Sequence, residues 1–156
     1  MSAESASRLG DVVVKRPNGD CLYTLHLSAD GVILCTVVGF WEVADADRFL
    51  LDYARFIRSA RGSQKPLRIL VDLTDSNVMT QSLADRFATA HRELFREQDR
   101  RAYVVTTSLQ SIQQKRAASY GHMKVFLDAD AFEVEVTERF CAPESLETDA
   151  ASLLWG

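Results

Sequence analysis

The side chains able to do chemistry are few and scattered. Asp72 and Asp75 stand three apart beyond an apolar run, a spacing that offers paired carboxylates for metal binding or acid–base work. No histidine or third carboxylate follows at ligand spacing, and aspartate at a strand end is also a common turn former. His26, His91 and His122 fall on different elements, with no HxxxH, HxH or His/Cys cluster. His91 shares the apolar flank of a helical pattern, where a packed, hydrogen-bonded imidazole is the plain expectation. A hydrolase or lyase pairing of Asp72 with His91 is the catalytic alternative. Cys21, Cys35 and Cys141 are an odd number with no CxxC, and read as free thiols, Cys35 as a small buried hydrophobe. No GxSxG, Walker A or GxGxxG motif is present. The expectation is a non-enzyme, with no catalytic residue, metal ligand or cofactor.

Residues suited to contact are more clustered. Asp75, Ser76, Thr80 and Ser82 crowd the polar stretch 74–82, where hydroxyls near a helix N-terminus can cap it, meet a partner or accept a phosphate. Ser82 with Asp85 resembles a capping box, the structural reading of that serine. Phe40, Trp41 and Tyr53 are candidate contacts for an apolar ligand or partner, with core packing the competing reading. The run Arg92, Arg96, Arg100, Arg101 is offset by Glu93, Glu97 and Asp99, which reads as a solvated face.

The elements that position these residues follow from pattern. The chain has 156 residues, 47% hydrophobic and 26% charged, with a net charge of -4. That is ordinary for one globular domain, and the mild acidity argues against a nucleic-acid partner. No apolar run nears a membrane span and no signal peptide leads the chain, so the expectation is a cytoplasmic protein, not an integral membrane one.

Residues 1–10 read as a loose tail before a domain over 11–156. Val12–Val14 is β-prone, and Ser28-Ala29-Asp30-Gly31 between two β-branched runs predicts a hairpin of Cys21–Leu27 with Val32–Phe40. Phe49, Tyr53, Phe56 and Ala60 then share a helical face, ended at Gly62. Leu67–Leu73 is a buried strand, a helix carries Leu83, Phe87, Ala90, His91 and Leu94, and Ala102–Val105 is another strand. A third helix shows Leu109, Ile112, Tyr120, Met123 and Leu127 at steps of three and four, which continues the helix through 127 and puts the next strand at 132–137. Residues 143–154 read as a closing helix with Leu146, Ala150, Leu153 and Leu154 inward. The expected fold is α/β: a mixed sheet of about five strands, opened by the hairpin and flanked by about four helices.

The order of these pieces resembles the STAS family (sulphate transporter and anti-sigma factor antagonist), in its SpoIIAA-like branch of stand-alone bacterial proteins. Gly39-Phe40-Trp41, Arg68-Ile69-Leu70-Val71-Asp72-Leu73-Thr74, Arg101–Val105, Phe132–Val136 and Ser152–Trp155 carry the resemblance over roughly 20–155. It implies a signalling or interaction module that binds a protein partner through the 74–82 loop and the adjoining helix N-terminus. Ser82 falls at the family's phosphorylatable position, although the acidic residue before it and the glycine after it are missing here. Likeness of this branch to lipid-carrying Sec14-type domains implies the alternative, a small apolar ligand or lipid held where a helix breaks at Gly121. The partner's identity and a homo-oligomer stay open.

Overall fold

The computed structural model describes residues 10–29, 31–62, 66–117 and 122–127. Its elements are β1 (Val12–Lys15), β2 (Cys21–Leu27), β3 (Val32–Val37), α1 (Val43–Arg61), β4 (Arg68–Asp72), α2 (Gln81–Leu94), β5 (Arg100–Val104), α3 (Ser108–Ala117) and β6 (His122–Phe126). The strands form one six-stranded sheet in sequence order. β1, β2 and β3 run antiparallel, and β3 to β6 run parallel, each parallel pair joined through a helix. The mixed α/β class expected from sequence is the one observed.

Local chemistry explains the joints. Gly31 takes a φ of 84° and donates to Ser28 O, while the Ser28 hydroxyl accepts from Val32 N, closing the β2–β3 hairpin. Asp45 accepts from Glu42 N at 2.9 Å and opens α1. Along α1, Phe49, Tyr53, Phe56 and Ile57 are buried against the sheet. Phe49 stacks on Tyr53 at 4.7 Å between centroids and meets Tyr23 edge-on at 5.0 Å. Trp41, Phe87, His91 and Phe95 extend this aromatic layer, so α1 and α2 share one core with the helix-facing side chains of the strands.

Several expectations are corrected. Residues 122–126 form β6, so the third helix does not run through 127; Met123 and Val125 alternate toward the core with the period of two that the apolar spacing concealed. α3 also turns the other way: Leu109 is 53% and Ile112 48% exposed, and Gln110 faces inward. The charged run after α2 is not a solvated face. The helix ends at Leu94, Asp99 and Arg101 are buried, and Arg101 lies over the Phe95 ring at 4.8 Å. Val12–Lys15 joins the sheet as the edge strand, making six strands among the described residues instead of about five. The expected strand at 132–137, the closing helix at 143–154 and Cys141 lie outside the described residues.

Asp99 holds the lower end of the fold together. Its carboxylate accepts from Arg61 Nη1 at 3.0 Å and Nη2 at 2.8 Å, from Leu67 N at 2.9 Å and from Arg96 N at 2.9 Å. One buried charge thus ties the end of α1 to the strand entries on either side of α2.

Candidate functional site

The carboxyl ends of parallel strands are where an open α/β sheet presents its loops and binds its ligands. Here β3, β4 and β5 deliver three segments to that end: 38–42, 73–80 and 105–107. The middle one is pinned at every turn. Asp72 accepts from Thr74 N at 2.9 Å and from Thr74 Oγ1 at 2.7 Å, folding the chain back as it leaves the strand. Gly39 donates to Asp75 O at 2.8 Å and accepts from Asn77 N at 3.1 Å, a short parallel bridge between the first two segments. Glycine is needed there: φ is 82°, and a Cβ would meet Arg16 Nη2 at 3.1 Å.

α3 supplies the remaining pins. Gln110 Nε2 donates to Ser76 O at 2.5 Å, while its Oε1 accepts from Thr106 N at 3.1 Å and Thr107 Oγ1 at 3.3 Å. Gln113 donates through Nε2 to Met79 O at 2.7 Å and accepts through Oε1 from Met79 N at 3.0 Å. Thr80 then caps α2 by accepting from Leu83 N at 3.3 Å. Ser82 is therefore not the cap, and its expected box with Asp85 is not formed; Asp85 instead accepts from Gln81 Nε2. Ser82 sits one residue inside the helix and is exposed.

A rigid rim results. Asp75, Asn77, Val78, Thr80 and Ser82 face outward along it, with Ser76 half-buried. Phe40, 51% exposed, follows the glycine that the loop is zipped to, and Val43 and Val78 are 39% and 36% exposed. Of the expected site residues, Asp75, Ser76, Thr80 and Ser82 come together here, joined by Phe40. Trp41 and Tyr53 do not share this surface. They are 6% and 2% exposed, and Trp41 Nε1 donates to Val38 O at 3.1 Å, so both belong to the core.

Behind the rim lies a small cavity of about 60 Å³, lined by Trp41, Tyr53, Val71, Phe87, His91 and Tyr103 and bounded by Ser76–Met79, Gln110 and Gln113. Its reactive groups are held in their neutral forms. Burial, then the nearby Asp72 carboxylate, pushes the Cys35 thiol up; burial raises the Tyr53 and Tyr103 phenols. Asp72 projects from β4 opposite to Ile69 and Val71, which face the helices, whereas His91 is buried on the helix side beside Tyr103. The two groups lie on opposite faces of the sheet and cannot act on one atom. Among the described residues no group of three or more His, Cys, Asp or Glu side chains gathers to hold a metal. Sequence reasoning passed over Gln110 and Gln113, whose only signal is glutamine at a three-residue step beside exposed leucine and isoleucine.

The site and sheet define an α/β module with a pinned loop at the carboxyl end of its parallel strands. No family model matches the chain, and no curated protein matches it. Among solved structures it is similar to an uncharacterised protein of the DUF3478 family with a SpoIIAA-like fold from Shewanella loihica PV-4, at 18% identity, over 93% of this chain and 94% of that one, with a TM-score of 0.45. The fold named there is the one the sequence resemblance implies. No helix among the described residues is long and apolar enough to cross a membrane.

Proposed function

We propose that this protein is a non-enzymatic interaction module that binds a protein partner through the 74–82 loop, Phe40 and the N-terminus of α2. The observation that carries the reading is the pinning of Ser76–Met79 from both sides, by Gly39 and by Gln110 and Gln113, beneath exposed side chains. A loop ordered before binding loses little entropy on binding. Exposed Phe40 and Val78 supply apolar anchors, and Asp75, Asn77 and Thr80 a polar rim, the usual division within an interface. Ser82 stands on the same rim, and phosphate there would place about −1.5 to −2 charges at the positive end of a helix.

The alternative, a lipid or other apolar ligand, is not favoured. The cavity of about 60 Å³ falls well short of the ~300 Å³ where ligand pockets begin.

The test is co-purification of the tagged full chain from its own cells, with phosphopeptide mapping of Ser82. Val78→Asp and Phe40→Asp are expected to lose a partner that the wild type and Leu51→Asp retain; Leu51 is exposed on α1 at 55%. Retention of the same partner by both rim variants rejects the reading.

A further inference from the structure

The side of the sheet away from the helices is dry, and none of the described elements covers it. Side chains alternate between faces along a strand. Ile33 and Cys35, Ile69 and Val71, and Tyr103 and Val105 turn into the core shared with the helices. Their neighbours Val32, Leu70, Ala102 and Val104 therefore turn to the second face, where they are 0%, 8%, 0% and 2% exposed. The parallel register sets Leu34, Leu70 and Ala102 side by side, and places Val104 beside Phe126 in the next row. Neighbours in a sheet stand side by side about 5 Å apart and leave each other's outer ends open, so this degree of burial needs a second layer. α1 and α2 pack on the first face, and α3 bounds the cavity there through Gln110 and Gln113.

Chain composition says what that layer is. The last 29 residues, 128–156, hold eight acidic residues against one arginine, a net charge of −7, and leave the preceding 127 at +3 within the chain's −4. They also hold Leu146, Leu153, Leu154 and Trp155. The second face offers the complement: an apolar centre with Arg68 and Arg100, register partners on β4 and β5, along its end. The nine residues before Gly10 are mostly small and polar and carry no comparable apolar set.

We propose that residues 128–156 cover the second face of the sheet in their own chain, with Leu146, Leu153, Leu154 and Trp155 against the Leu34–Leu70–Ala102 row and the acidic side chains toward Arg68 and Arg100. Opposite charge steers the segment to this face, and the apolar contact holds it. This inference is independent of the partner surface, which lies at the carboxyl ends of the strands on the helix side.

Hydroxyl-radical footprinting of the full chain tests it, reading Leu70 and Phe126 on the second face against Phe49 and Tyr103 on the first. In the wild type all four are expected to be protected, without change on dilution. In Leu153→Asp/Leu154→Asp, labelling of Leu70 and Phe126 should rise severalfold while Phe49 and Tyr103 stay protected. Should the double variant unfold, shown by labelling of the first face too, the wild-type dilution series decides. Protection that fades with dilution assigns the cover to a second copy of the chain and overturns the proposal. Strong wild-type labelling of Leu70, or a folded double variant with unchanged labelling, overturns it as well.

Discussion

The side-chain amide of Gln113 meets both backbone groups of Met79, donating to its carbonyl at 2.7 Å and accepting from its N–H at 3.0 Å. It takes the place of a neighbouring strand for one residue of a loop that has none. Two such bonds are worth about 2 kcal/mol together. Gln113→Ala is expected to speed hydrogen exchange at the Met79 amide by about tenfold or more, since 1.4 kcal/mol is a factor of ten. Gln113→Glu, which keeps the acceptor and loses the donor, should fall between the two. Exchange unchanged in Gln113→Ala would show the loop to be held by something else.

Asp99 should make the fold acid-sensitive. Burial alone raises its carboxyl, but the Arg61 guanidinium and the Arg96 and Leu67 N–H groups outweigh that and hold it below its ordinary value. A carboxyl depressed in the folded state stabilises fully above its unfolded pKa of about 3.9, and that contribution is lost as pH falls through the folded value. Urea unfolding of the wild type is therefore expected to weaken progressively below about pH 4–5. Asp99→Asn should unfold more easily at neutral pH, by about 3 kcal/mol, and show a flatter acid limb. Equal acid slopes for the two proteins would contradict this.

Helix capping separates Thr80 from Ser82. Thr80 accepts from Leu83 N, whereas Ser82 is exposed inside the first turn. Thr80→Ala should cost about 1 kcal/mol in chemical denaturation and Ser82→Ala less than about 0.5 kcal/mol. The reverse order would restore Ser82 as the cap.

The thiols should divide by environment. Burial and Asp72 raise the Cys35 thiol, so as the sole thiol of a Cys21→Ser/Cys141→Ser variant it should resist a thiol reagent at pH 8 until the protein is unfolded. Rapid native labelling of Cys35 would show that the cavity opens readily.

These features were unequally legible in the sequence. The hairpin could be read because Asp30-Gly31 between β-branched runs has one strong local meaning, and α1 because Phe49, Tyr53 and Phe56 repeat at the helical period. β6 was hidden, since Met123 continues the spacing of Leu109 and Ile112 although the chain changes period before it. Loop 74–82 could be placed as a polar cluster, which brought Asp75, Ser76, Thr80 and Ser82 onto one surface. Its pins could not: Gln110 and Gln113 act across 34 residues, and no local pattern marks a long-range hydrogen bond. For the same reason Trp41 and Phe40, adjacent in sequence, separate into core and surface only once the strand end is folded.

Site-specific photocrosslinking in the protein's own cells addresses the partner surface most directly. A photoreactive side chain at position 78 or 40 is expected to give one shared protein adduct, absent when the same group stands at position 51. Equal adduct patterns at 78, 40 and 51, or none at 78 and 40, would contradict a partner site on the pinned loop.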